Sequence, residues 1–320
     1  GNDPCARTGR ERRGAVAVKN ILVIGGSGFL GSAVVRELAR RPASADSQFT
    51  LPTRREAGAK HLTVLPTARV VQCDVHDPAT LARLMAGQDA VVSLVGILKG
   101  GEGEPYGQGF ARAHVELPQK IAAAAKSAGV RRMLHVSALK SAADAPSGYL
   151  RSKAAGEAAL QSAGLDLTIF RPSVIFGRGD SFLTLFARMA RIAPFFPLAG
   201  ADARFQPVWV EDVAAAVADS LENSQSIGAA YDLCGPTQYA LAELVRYATA
   251  VSGHPRAVIG IPEFVGWLQA WAMEFIPNGP MTRDNIRSMR VPSTCEAGCG
   301  LPFGRVATAL EVIAPTYLRD

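Results

Sequence analysis

Residues 20–31 read NILVIGGSGFLG. Ile21 to Ile24 form a short apolar run closed by glycine, the pattern of a buried strand. From Phe29 to Arg40, Leu30, Val34, Val35 and Leu38 recur at helical spacing, and Pro42 stands just past the end. Between strand and helix lie Gly25, Gly28 and Gly31. The first allows a tight turn, the second lets backbone approach a pyrophosphate, and the third lets the helix pack close to the sheet. A helix N-terminus adds free N–H groups and the positive end of its dipole. Gly25, Ser27, Gly28, Phe29, Leu30 and Gly31 are therefore read as a phosphate cradle for a dinucleotide. The triplet alone is weak; its place at the first strand–helix junction gives it weight.

Working outward, strands are expected at Gln48 to Thr53, Arg69 to Cys73, Asp89 to Val95, Arg132 to Ser137 and Leu167 to Arg171. Helices fill the intervals. One opens at Asp77-Pro78, one is Ala-rich and ends at Gly129 with a start or kink at Pro118, and one runs from Tyr149 to Ala163. Strand and helix alternate every 25–30 residues or so, which predicts a parallel sheet with helices on both faces. The fold class is thus α/β, a Rossmann-like doubly wound sheet. After Gly177 the rhythm breaks. Residues 178–205 read as a helix and a Pro-rich excursion, Val208 to Val217 as a strand end and a helix, Ala230 to Cys234 as one more strand. From Pro236 onward helices dominate. The expected organisation is a basic disordered arm over 1–18, a nucleotide-binding domain over 19–235 with an excursion at 177–205, and a small substrate or partner lobe over 236–320.

The second strand ends Leu51-Pro52-Thr53-Arg54-Arg55. An acid there would bind a ribose 2′-hydroxyl; Thr53, Arg54 and Arg55 instead suit a 2′-phosphate by charge and bidentate geometry. This favours NADP(H) over NAD(H), the alternative being a solvated arginine pair. Asp74 and Val75 follow the third strand. Asp74 either accepts from an adenine amino group, with Val75 packed on the ring, or caps a helix.

Tyr149 and Lys153 are four apart at the start of a helix, on one face. The ammonium would lower the phenol pKa by stabilising the phenolate. Such a tyrosine exchanges a proton with a carbonyl or alcohol oxygen while a nicotinamide exchanges hydride. Ser137, twelve residues earlier, ends the fifth strand and offers a hydroxyl to the same oxygen.

Of the 320 residues 48% are hydrophobic and 19% charged, enough for a large core and against global disorder. Half of the net charge of +6 lies in the first 20 residues, and no basic stripe carries interleaved aromatics. Nucleic-acid binding is not expected. Five cysteines, an odd and sparse set, argue against a disulfide framework and for a reducing, cytoplasmic setting. Cys295 and Cys299 lack a second ligand pair and are read as ordinary thiols, and no metal site is expected. No run reaches the ~18 apolar residues of a membrane span. Phe264, Trp267, Leu268, Trp271 and Phe275 share helical spacing. Over 262–276 they either dock a protein partner or a membrane surface, leaving the chain peripheral there, or cap the substrate cleft as core. His135, inside the fifth strand, is read as packed and hydrogen-bonded.

The glycine triplet, Ser137, and Tyr149 with Lys153 resemble the short-chain dehydrogenase/reductase superfamily in its extended or atypical branch. FRPSVIFG at 170–177 and QPVWVEDV at 206–213 look like that branch too. LVGILK at 94–99, Tyr149-Leu150-Arg151 and MTRDN at 281–285 are similar to the nucleotide-binding accessory subunit of respiratory complex I and its bacterial relatives. The resemblance implies tightly held NADPH, with Val95, Gly96, Pro172 and Val174 beside it. It also implies a structural or assembly role and a link to quinone metabolism. Around the fifth strand end the chain has Ser137-Ala138-Leu139 where sugar-nucleotide dehydratases carry Thr-Asp-Glu, which disfavours dehydration. The expectation is an NADP(H)-binding protein with a potential reductase activity on a quinone-like or other carbonyl. The alternatives are a free-standing reductase or epimerase of a small, nucleotide-sugar-like substrate, and a redox sensor without catalysis.

Overall fold

A computed structural model describes residues 18–42, 46–276, 279, 281–296 and 300–319. The expected arm over 1–18 lies outside these residues except for Val18.

The first half alternates as expected. β1 (Asn20–Ile24), α1 (Phe29–Ala39), β2 (Gln48–Thr53), β3 (Ala68–Gln72), α2 (Pro78–Met85) and β4 (Ala90–Ser93) come first. A helical run follows in three parts, α3 (Gln108–Phe110), a π-helical turn (Ala111–Glu116) and α4 (Leu117–Ala128). Then come β5 (Arg132–Val136), α5 (Gly148–Gln161) and β6 (Asp166–Pro172). The ends match their local chemistry. Asp77 caps α2 by accepting from the Thr80 N–H at 2.9 Å, and Gly129 closes α4 with φ 74°. Pro118 has no N–H to give the carbonyl of His114, and the π-helical turn stands immediately before it.

The chain continues through β7 (Ile175–Phe176), α6 (Leu183–Ala190), β8 (Phe195–Ala199), β9 (Arg204–Phe205), β10 (Val208–Trp209), α7 (Val210–Glu222) and β11 (Ala230–Leu233). It ends with β12 (Tyr239–Ala240), α8 (Leu241–Val251), β13 (Ala257–Ile261), α9 (Glu263–Glu274), α10 (Arg283–Ser288), α11 (Leu310–Ile313) and α12 (Pro315–Leu318).

Seven strands form one parallel sheet in the order β3-β2-β1-β4-β5-β6-β11. The order reverses direction at β1/β4, the switch point where ligands bind in such sheets. Alternate residues of β1 serve the two faces. Ile21 and Val23 join α1 and α7 in one core with Val34 and Val213; Leu22 and Ile24 join α2, α4 and α5 in another with Ile121 and Leu160. All four β1 side chains are essentially inaccessible, each stabilising the fold by about 1.5–3 kcal/mol. Farther on, β8 pairs in parallel with β13, and α6 and α8 pack beside them over Phe196, Leu198 and Val245.

One expectation is corrected here, and one open alternative is decided. Cys234 and Cys295, 61 residues apart, form a disulfide. The fold brings the end of β11 to the segment after α10, a juxtaposition that cysteine count and spacing do not reveal. Cys73 is a free thiol, and Cys299 lies outside the described residues. The aromatic stripe of α9 is not core either. The helix buries only Gly266 and Ala270, while Phe264 is 76%, Leu268 58% and Phe275 72% exposed.

Candidate nucleotide and active site

The glycine loop joins β1 to α1 at the switch point. Gly25 has φ 90°, a conformation open to glycine at little cost. A Cβ on Gly31 would lie 2.1 Å from the Gly25 carbonyl oxygen, so only glycine lets the helix sit this close. Gly28 is the N-cap of α1, with no side-chain cap and no acidic residue in the first turn. The first-turn amides of Phe29, Leu30 and Gly31 thus form an uncapped helix N-terminus suited to an anion. Ser27 lies beside the end of β2, its Oγ 3.4 Å from Thr53 Oγ1, and Thr53 donates to the Arg55 carbonyl at 3.1 Å. Arg54 and Arg55 are exposed at the same strand end, and neither forms an ion pair among the described residues. The loop therefore has uncapped backbone amides at the start of α1, with two exposed arginines following the neighbouring strand β2.

Asp74 does not cap α2, as one sequence alternative had it; Asp77 does. Asp74 Oδ1 accepts from the His76 N–H at 2.9 Å and its other oxygen lies 3.7 Å from Arg112. Val75 packs against the core that holds Leu22 and Leu81. Pro172 closes β6 and accepts from the Leu139 N–H at 3.0 Å; the Val174 carbonyl accepts from Val208 at 3.0 Å.

Ser137 follows β5, with its N–H on the Phe170 carbonyl at 2.7 Å. Its hydroxyl is buried and has no hydrogen-bond partner among the described residues. Buried polar groups ordinarily find one, so this oxygen fits a group supplied by a ligand. Lys153 is buried, and its Nζ donates to the carbonyls of Val136 at 3.2 Å and Val95 at 3.4 Å. Val136 immediately precedes Ser137. The Nζ would also lie 3.4 Å from a Cβ on Gly96. Lys153 thereby joins the segment after β4 to the end of β5. Burial pushes its ammonium down to about 8, against the opposing pull of Glu157.

Tyr149 is half-buried, edge-on to Phe110 and His114 at ring distances of 6.0 and 5.6 Å, and packs against Ala138 and Leu150. Burial pushes its phenol up to about 12. The sequence expectation was the reverse. The apolar and aromatic surroundings of the ring set the direction of the shift.

Two residues escaped sequence reasoning. Asp284 on α10, 5% exposed, accepts from the N–H groups of Gly148 at 2.7 Å and Tyr149 at 3.1 Å. A carboxylate thus anchors the start of α5 from 135 residues away, and the only signal was the MTRDN resemblance. Desolvation raises its pKa, against those two donors. His114, 2% exposed, is hydrogen-bonded at both ring nitrogens, to Ile97 and Ser152. His135, expected to be hydrogen-bonded, is buried with Nδ1 unpartnered among the described residues. A cavity of about 350 Å³ opens between residues 99–102, Phe110, the end of α9 and Thr282 and Asp284 of the α10 entrance. It adjoins Tyr149 through Phe110 and Asp284.

The model of a family described as NAD(P)H-binding matches residues 25–224, from the glycine loop to the end of α7. The chain belongs to the NAD(P)H-binding family. It is also 33% identical over 267 residues to the mitochondrial NADH dehydrogenase [ubiquinone] 1 alpha subcomplex subunit 9 of Rattus norvegicus, covering 81% of this chain and 68% of that one. A ceramide reductase of Caulobacter vibrioides is 32% identical over 208 residues, 64% of this chain and 60% of the relative. Among solved structures, an Escherichia coli NADPH-dependent quinone oxidoreductase, QOR2, complexed with NADPH superposes with a TM-score of 0.73 at 22% identity. That likeness covers 93% of this chain and 99% of the other and supports the Rossmann-like fold.

Proposed function

We propose that the chain binds NADP(H) in the crevice at β1/β4 and reduces a lipophilic or quinone-like carbonyl there. The observation that carries this reading is the Ser137 hydroxyl at the end of β5, buried and without a partner among the described residues, next to the Val136 carbonyl that the Lys153 ammonium of α5 holds. Gly25, Ser27, Gly28, Phe29, Leu30 and Gly31 hold the pyrophosphate, and Thr53, Arg54 and Arg55 the 2′-phosphate. Asp74 and Val75 flank the adenine. Val95, Gly96, Pro172 and Val174 border the nicotinamide end. The bound nicotinamide supplies the hydride.

The chain's residues move the proton. Ser137 donates to the substrate oxygen, and Tyr149 gives that oxygen its phenolic proton as negative charge develops. A phenol at about 12 is protonated at neutral pH, which suits the acid role in reduction. Lys153, at about 8, is mostly charged at neutral pH and steadies the phenolate that forms. Asp284 fixes the helix start that carries Tyr149. Residues 19–235 would form the nucleotide domain and 236–320 the lobe that shapes substrate entry.

A second reading is favoured by α9. Its exposed aromatic stripe suits a protein partner, and several relatives are named as subunits of NADH dehydrogenase. In that case the chain is a subunit that retains its nucleotide for structure. Tyr149→Phe separates the two readings. NADPH oxidation by a water-soluble quinone, followed at the reduced nicotinamide band, should fall about 100-fold or more if a proton donor is lost. Unchanged turnover, or none in either protein, favours the subunit reading.

A further inference from the structure

An imidazole helps to hold the segment that follows β4. β4 ends at Ser93, and after the Leu94 N–H has paired with the Ile24 carbonyl at 2.9 Å the chain leaves the sheet. The segment Val95–Ile97 is then tied at both ends, to α5 directly at Val95 and to the π-helical turn at Ile97. Lys153 holds the Val95 carbonyl. At the other end the Ile97 N–H donates to His114 Nε2 at 3.0 Å.

That contact settles the tautomer. A ring nitrogen that accepts carries no proton, so the proton of the neutral ring is on Nδ1. Nδ1 donates to Ser152 Oγ at 2.9 Å, and the Ser152 hydroxyl donates to the Tyr149 carbonyl at 2.7 Å. Three hydrogen bonds, each with a fixed direction, run from the post-β4 segment to the first turn of α5. Burial and the nearby Lys153 ammonium hold the ring neutral, with its pKa down at about 2. The backbone around His114 is specialised to place it. The residue sits in the π-helical turn, its carbonyl is left unclaimed by Pro118, and Gly156 approaches so closely that a Cβ would lie 2.0 Å from that carbonyl oxygen.

We propose that His114 is a positioning residue, which sets the separation of the Val95–Ile97 segment from the Tyr149–Lys153 turn and so shapes the nicotinamide-ribose end of the site. The inference rests on the NADP(H) reading above. It assigns His114 no contact with the reacting atoms.

The test compares two ligands on the full chain by calorimetry, NADPH and 2′-phospho-ADP-ribose, which lacks the nicotinamide. His114→Leu leaves the Ile97 and Ser152 groups unpaired and should weaken NADPH about tenfold, the effect of roughly one buried hydrogen bond. The fragment should change less than about twofold. His114→Gln, with one acceptor and one donor, should restore most of the loss. Ser152→Ala should reproduce part of it in a protein of nearly native packing. Equal weakening of both ligands, or of neither, overturns the proposal. A nitrogen-15 spectrum of the nucleotide-free protein should show a protected His114 Nδ1–H; an Nε2–H tautomer also overturns it. If the wild type binds neither ligand, the NADP(H) reading fails first, and that outcome is visible before any variant is made.

Discussion

At the residue scale, the site is governed by what burial does to ionisable groups. Tyr149, Lys153, His114 and His135 are each shifted toward the neutral form, with desolvation the largest cause in every case. The two histidines give a pH signature. Their pKa values in the fold lie at about 2 and about 3, below the ordinary 6.5. The unfolded chain therefore binds protons at these rings before the folded chain does. Stability from this source is complete above pH 6.5 and falls as pH drops from there toward 3. Two such rings give a slope of up to about 2.7 kcal/mol per pH unit, most clearly between pH 6 and 5, above the main carboxylate titrations. Denaturant unfolding at pH 7, 6 and 5 measures this. His135→Phe should flatten the slope by about half, and an unchanged slope would show that His135 is not buried as a neutral ring. These roles were only partly legible. Tyr149 and Lys153 were visible from local spacing, and Ser137 from its strand end. Asp284 depends on a partner 135 residues away, and the double bridging of His114 on partners 17 and 38 residues away, which local patterns do not encode. The direction of the Tyr149 shift is not legible in the sequence, because spacing reports which groups share a helix face, not how far burial desolvates them.

At the element scale, the βαβ series was readable because its central strands are buried on both faces and its helices on one. Continuous apolar runs then alternate with 3.6-residue periodicity. Even the caps at Asp77 and Gly129 follow from residue type. The most sensitive junction is β1–α1. Gly31→Ala places a methyl against the Gly25 carbonyl and forces the loop or the helix to move. The expected cost is about 1–3 kcal/mol in stability. Nucleotide affinity should fall at least tenfold, because the first-turn amides turn away from the pyrophosphate. Calorimetric titration with NADPH, alongside a melting curve, reads both. A variant that melts lower yet binds as the wild type would mean that the loop does not hold phosphate. The α9 stripe was ambiguous in the sequence because helical spacing of aromatics is common to a buried face and a docking face. Only the packing of its neighbours distinguishes them.

At the scale of the whole molecule, several contacts tie the later part of the chain to the parallel sheet and its helices. Asp284 anchors α5, Asp212 of α7 accepts from the Thr308 N–H at 2.7 Å, and the Cys234–Cys295 disulfide joins β11 to the segment after α10. The disulfide closes a loop of 61 residues, and cross-links of this kind are typically worth about 2–4 kcal/mol. Reduction with a dithiol, or Cys295→Ser, should lower the melting temperature by several degrees while leaving far-ultraviolet circular dichroism unchanged. Equal melting with and without reductant would show that the bond does not form in solution. Cysteine arithmetic missed this pairing because an odd count, scattered over the sequence, says nothing about which two the fold brings together.

The central claim is that the crevice holds NADP(H). It is tested most directly by identifying the nucleotide released from the natively purified chain and titrating the stripped protein with NADPH and NADH. The account predicts that NADPH or NADP⁺ is recovered and that NADPH binds at least tenfold tighter, about 1.4 kcal/mol, through Arg54 and Arg55. Recovery of NAD(H), or equal affinity for the two, would contradict the assignment of those arginines to the 2′-phosphate.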